Sequence, residues 1–126
     1  MRLDTAAPVL LSSDLARTAA WYETMLGFET ELYGKPPNFG IARRDDARIM
    51  FALTDRAAVI VPNWRIVDTI WNAYVLVDDV DAYYEEVRRR GVVPEHRLED
   101  APWGMREFGV RDPDGYDIAF GQPLGL

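Results

Sequence analysis

At 126 residues the chain has the length of one domain, and with 48% hydrophobic and 12% aromatic residues it can bury a core without staples. Twenty-one acidic residues against fourteen basic ones leave a formal charge of −7, which repels phosphate backbones and anionic lipid surfaces, so neither nucleic acid nor a membrane is an expected partner. The absence of cysteine excludes disulfides, thiolate metal sites and cysteine nucleophiles and makes the cytoplasm the default address.

In chain order, Val9-Leu10-Leu11 reads as a strand, Asp14 as a helix cap, Arg17–Leu26 as a helix and Gly27 as its left-handed terminator. Leu15, Ala19, Tyr22 and Leu26 form the apolar stripe of that helix, and Trp21 reads as packing. The only serines, Ser12 and Ser13, stand beside this cap, which argues against a serine triad with the single histidine. Phe28–Tyr33, Phe39–Arg43 and Arg48–Thr54 follow as hairpin strands, the last two joined at Arg44-Asp45-Asp46-Ala47. Asp55–Ile70 is a connector holding Pro62-Asn63-Trp64, and its length would allow modules to pair between chains. Trp71 precedes the next strand with no role assigned.

The pattern then repeats. Tyr74–Val77 is a strand, Asp79 a cap, Asp81–Arg90 a helix striped by Val80, Tyr83, Tyr84 and Val87, and Gly91 a terminator. Arg88-Arg89-Arg90 complements the dipole of its last turn. His96, among charges in Pro94-Glu95-His96-Arg97, reads as a solvated loop residue, with a proton acceptor at a pocket rim as the sharper alternative. Phe39-Gly40-Ile41 and Ile49-Met50-Phe51 match Phe108-Gly109-Val110 and Ile118-Ala119-Phe120 at one constant offset, and the turn Asp112-Pro113-Asp114-Gly115 stands where Asp45 stood. The expected fold is α+β: one domain over 1–126 made of two βαβββ modules, about 5–54 and 71–122 with a connector at 55–70, forming a curved mixed-sheet cleft with helices on its convex side.

This doubled module, with Val9–Phe28 opening it and Trp103-Gly104-Met105-Arg106-Glu107-Phe108 and Asp112-Pro113-Asp114-Gly115-Tyr116 closing it, resembles the vicinal oxygen chelate superfamily. Within it the chain is most similar to the bleomycin-resistance branch of the glyoxalase/bleomycin-resistance/dioxygenase group. The resemblance implies that metal-dependent members take one ligand from each of four strands. Those positions here are Ala7, Met50, Asn72 and Ala119, of which only Asn72 offers an oxygen, so no metal, no other cofactor and no metal-dependent lyase or dioxygenase activity is expected.

Stepping by two from those positions puts Val9, Leu11, Arg48, Ala52, Tyr74, Leu76, Asp117 and Gly121 on the concave face, and Leu10, Ile49, Phe51, Leu53, Val75, Val77, Ile118 and Phe120 beneath the helices. The final turn is expected to set Phe108 opposite Ala119 and Arg106 opposite Gly121, with Phe39 and Ile41 equivalent in the first module. The candidate ligand-binding set is therefore Phe39, Arg48, Met50, Asn72, Tyr74, Trp64, Trp103, Arg106, Phe108 and Asp117, with the two tryptophans as lids and no catalytic residue assigned. The expected function is sequestration of a bulky, partly aromatic small molecule, such as an antibiotic, by a homodimer. Two alternatives stand beside it. One is a cofactor-free lyase, isomerase or hydrolase using Asp117 or Glu107 as base with Arg106; the other is a degenerate domain acting only through protein contacts.

Overall fold

The computed structural model describes residues 1–125. The chain divides into two compact units, Met1–Ile60 and a second from Val61 onward, and each carries one four-stranded mixed sheet and one helix. In the first unit the elements are β1 (Val9–Ser12), α1 (Leu15–Leu26), β2 (Glu29–Gly34), β3 (Pro37–Arg44) and β4 (Ala47–Leu53), with sheet order β1-β4-β3-β2. In the second, β5 (Ala73–Leu76), α2 (Val80–Arg89), β6 (His96–Ala101), β7 (Met105–Arg111) and β8 (Asp117–Pro123) give the order β5-β8-β7-β6. Within each unit the first strand runs parallel to the last and the other pairings are antiparallel, so the fold is the expected α+β pair of βαβββ modules. The connector holds two short 3-10 turns, Ala57–Val59 and Asn63–Arg65.

The caps work as their chemistry dictates. The Asp14 carboxylate accepts from the Arg17 amide and that of Asp79 from the Ala82 amide, satisfying first-turn donors that no helical carbonyl reaches. Gly27 ends α1 at φ 71°, and α2 ends on Arg90 with Gly91 just beyond it at φ 104°. The buried stripe of α1 is Leu15, Thr18, Tyr22 and Leu26; Thr18 takes the place expected for Ala19 because its hydroxyl meets that of Ser12, 2.9 Å away and also buried.

Strand alternation sorts each sheet into a helix-covered and an open face. Leu10, Ile49, Phe51, Ile118 and Phe120 are buried on the covered faces, as expected, whereas Leu53 at the end of β4 is exposed and Val75 and Val77 are half-buried. In the second unit the covered face is aromatic: Phe108 stacks on Phe120 with centroids 5.3 Å apart and meets Tyr84 of α2 edge-on at 5.1 Å, while Tyr83 meets Phe120 at 4.9 Å. Such pairs contribute about 0.5–1.5 kcal/mol each beyond their burial.

Candidate functional site

One residue in a turn decides which side chains share a face. Between Arg44 and Ala47 the first module's hairpin has two residues, Asp45 and Asp46; between Asp112 and Tyr116, whose backbones pair at 2.9 Å, the second has three, Pro113, Asp114 and Gly115. The Asp112 carboxylate caps this longer turn by accepting from the amides of Asp114 and Tyr116, both at 3.0 Å. The repeat offset on β7 is therefore one residue smaller than on β8, and in a strand a slip of one exchanges the faces. Phe108 pairs with Phe120 and Glu107 with Gly121, which corrects the expected pairings of Phe108 with Ala119 and of Arg106 with Gly121.

The correction changes the site. Phe108 turns its ring beneath α2 and is 1% exposed, although it borders the pocket described below. Arg106 lies on that same covered side and binds Asp81 of α2 at 2.7 Å and Asp100 of β6 at 2.9 Å, so it neither pairs with Asp117 nor shares a face with Glu107. Glu107 takes the open-face position instead, flanked by Gly109 and opposite Gly121.

On this open face Glu107 is the centre of an aromatic corner. Its Oε1 accepts from the Tyr74 hydroxyl at 2.8 Å and from the Trp103 indole at 2.8 Å. Trp71 lies 5.0 Å from the Tyr74 ring and 6.0 Å from the Trp103 ring. Tyr74 is placed by the absence of a side chain at Gly121, where a Cβ would stand 1.9 Å from the phenol oxygen. Burial, and then the hydrogen bond to Glu107, raise the Tyr74 phenol above its ordinary range, so it stays a neutral donor. A pocket of about 180 Å³ opens beside this corner, lined among others by Trp71, Trp103, Glu107, Glu99, His96 and Ala119, with Tyr74 as backing rather than lining.

Asp117, which also lines the pocket, begins a charged chain. Asp117 is 2% exposed and held by both ends of Arg111, Nε to Oδ1 at 2.7 Å and Nη2 to Oδ2 at 3.1 Å. Arg111 in turn lies over the Trp64 ring, 3.9 Å from its centroid, and meets Glu95 at 3.2 Å. Trp64 is pinned by an indole hydrogen bond to the Gly115 carbonyl at 2.6 Å, so it backs Arg111 and is not a lid on the pocket. His96 begins β6 rather than standing in a solvated loop, and its ring packs over Gly109.

The other expected residues are placed elsewhere. Asn72 spends its carbonyl oxygen on the Asn63 amide at 2.8 Å, tying the connector down. Phe39, Met50 and Arg48 lie on the open face of the first unit, Phe39 opposite Ala52 and Met50 opposite Ile41, while Arg48 donates to the Asp45 and Ala47 carbonyls of its own turn. Trp71 and Glu99 join the pocket without having been expected there, His96 takes the pocket position of its alternative reading, and Glu107 moves from a candidate base to its centre. A signal for them exists in the repeat once the longer turn is counted. Where the first module has Ile41, Met50 and Ala52, the second has Gly109, Ala119 and Gly121, and the space so opened admits the Tyr74 phenol and the His96 ring beside the pocket.

The superfamily implied by the resemblance includes metal-dependent members, and the donor set here does not fit a divalent ion. Ala7, Met50 and Ala119 carry no hard donor, the Asn72 oxygen is engaged, and the described residues contain no group of three histidine, cysteine, aspartate or glutamate side chains placed to hold a metal ion.

A model of the Glyoxalase/Bleomycin resistance protein/Dioxygenase superfamily matches residues 2–120. No curated protein matches the chain. Among solved structures, the bleomycin-binding protein of bleomycin-producing Streptomyces verticillus, complexed with copper(II)-bleomycin, is 27% identical over 100% of this chain and 99% of its own, with a TM-score of 0.71. A bleomycin resistance determinant encoded on transposon Tn5 is 26% identical over 98% of this chain and 100% of its own, TM-score 0.76. A glyoxalase-related enzyme from Clostridium phytofermentans has a TM-score of 0.77 with 98% of both chains covered, but at 15% identity it shares the fold alone.

Proposed function

From its membership of the glyoxalase/bleomycin resistance protein/dioxygenase superfamily, to which this chain belongs, we propose that the protein binds and sequesters a partly aromatic organic cation without transforming it, bleomycin-type antibiotics being candidate ligands. The observation that carries this reading is the corner of Trp71 and Trp103 around Glu107. Two indoles offer π faces to a flat or cationic group, and a carboxylate with only one oxygen spent on Tyr74 and Trp103 offers it a counter-charge. Glu99 stands directly opposite Glu107 on the same face. Like charges so placed repel, and a bound cation relieves that repulsion. Arg97 also borders the pocket and offsets part of the charge. The overall charge of −7 adds attraction at longer range.

Several features disfavour turnover by the carboxylates. Asp117 is locked by Arg111, Glu107 already accepts two hydrogen bonds, and Arg106 is turned to the opposite side of the sheet, so the base-and-arginine pairing needed by a cofactor-free lyase, isomerase or hydrolase is not assembled. The protein works without metal or other cofactor on this reading, because the donor set fits neither zinc nor magnesium. It acts as a homodimer in the cytoplasm. Val9, Leu11 and Leu76 leave apolar area exposed on the open faces, which a second copy would cover, and the chain carries no cysteine. No helix among the described residues is long and apolar enough to cross a membrane.

Titration with bleomycin and with ethidium, a smaller planar aromatic cation, followed by tryptophan fluorescence tests the reading. Saturable quenching, with each compound recovered chemically unchanged, is expected. Turnover of either compound, or quenching that never saturates for both, overturns sequestration, and a monomeric mass by light scattering at micromolar concentration overturns the dimer.

A further inference from the structure

Building on the pocket reading, we infer that His96 is a second recognition group of this pocket, a hydrogen-bond acceptor that selects ligands whose cationic head carries N–H donors, such as amidines and primary amines, over fully alkylated ammonium groups. His96 is the only histidine in the chain, and it lines the pocket beside Glu99 and Glu107. Its ring is oriented by two contacts. The Cδ2 edge lies over Gly109, where a Cβ would come within 3.0 Å of it, and Nε2 is buried 3.4 Å from Asp117 Oδ2 with no completed hydrogen bond.

These contacts choose the tautomer. Were Nε2 unprotonated, its lone pair would face a buried carboxylate oxygen, two acceptors in opposition. With the proton on Nε2, a donor stands 3.4 Å from an anion that Arg111 already fixes in place, and turning the ring toward Oδ2 would close the bond. Nδ1 is then the acceptor; it sits across the ring from the Cδ2 edge that meets Gly109, on a side chain that is 42% exposed and lines the pocket. Charged groups surround the ring on every packed element: Glu95, Arg97 and Glu99 along its own strand segment, Glu107 and Arg111 on β7, and Asp117 on β8. Of these, Asp117 and Arg111 neutralise each other, while Glu107 Oε2 and Glu99 remain for the ligand. An amidinium can therefore place one N–H on a carboxylate and another on Nδ1, whereas a trimethylammonium satisfies only the aromatic and charge terms.

The single histidine makes the test unambiguous. In long-range nitrogen–proton NMR of the uniformly ¹⁵N-labelled full chain, the neutral tautomer observed is expected to carry its proton on Nε2. The Nδ1 resonance should move on addition of benzamidine and not on addition of benzyltrimethylammonium. His96→Leu should weaken benzamidine by roughly five- to tenfold, the worth of one hydrogen bond, and leave benzyltrimethylammonium unchanged. His96→Gln, which keeps an acceptor, should restore part of the loss. A proton found on Nδ1, or equal weakening of both probes, overturns the role of His96 while leaving the aromatic pocket standing. Binding of neither probe overturns the pocket reading and the role of His96 together.

Discussion

The two modules are built from one pattern, yet their open faces have opposite characters, and the difference comes from the size of a few side chains. In the first, Ile41, Met50 and Ala52 fill the rows between Phe39, Val9 and Leu11. In the second the same positions are Gly109, Ala119 and Gly121, and the space so opened is occupied by the Tyr74 phenol, the His96 imidazole and the pocket itself. A repeat supplies two similar scaffolds; trimming one face to glycine and alanine lets larger polar and aromatic groups lean in from its rim. The covered faces differ less, since both must bury a helix.

The largest expected effect separates the two phenylalanines at corresponding places in the sequence repeat. Phe108→Ala removes a fully buried ring from between Phe120 and Tyr84 and should destabilise the fold by about 3–5 kcal/mol in urea denaturation, against a clearly smaller loss for Phe39→Ala on the half-buried open face of the first module. Equal losses would break the comparison.

Glu107→Gln keeps an acceptor for Tyr74 and Trp103 but removes the charge. It should cost about 1.5–3 kcal/mol of affinity for ethidium or benzamidine by fluorescence titration, with little change in stability. Gly121→Ala gives the second module the residue that the first carries at Ala52. Because its Cβ would meet the Tyr74 hydroxyl at 1.9 Å, the phenol must leave Glu107, and affinity should fall by about 1 kcal/mol, whereas Ala52→Gly should leave it unchanged.

A subtler readout is the alkaline titration. Tyr74 is raised above the ordinary phenol range, so whatever stability it contributes is fully present below that range and is lost only as pH climbs through the raised value. Tyrosinate absorbance should show a late ionisation that Tyr74→Phe removes, and Glu107→Gln should bring that ionisation back toward the ordinary value. The smallest effect is none: prolonged chelation should leave both the melting temperature and ligand affinity unchanged, and a drop in either would show a metal in use.

Much of this molecule can be read directly from its residues. Asp14, Asp79, Gly27 and Gly91 mark both helices because capping and positive φ are local chemistry, and the alternation of Ile49, Phe51, Ile118 and Phe120 identifies the covered faces because a strand's period is two. At the positions where the family resemblance implies metal ligands, the lack of a hard donor on Ala7, Met50 and Ala119 is likewise plain from residue type.

What required the tertiary structure was register and neighbourhood. Gly115 at φ 91° and the Asp112 cap accommodate three residues in a turn whose counterpart holds two, and that single residue moves Phe108 and Arg106 beneath the helix and brings Glu107 to the open face. His96 looks like a loop residue by composition, since its partners Gly109 and Asp117 lie on other strands and reach it only through pairing. Local propensities set the elements because they depend on residues a few positions apart. The site depends on contacts such as Tyr74 to Glu107 and Trp64 to Gly115, 33 and 51 positions apart, which no local pattern encodes.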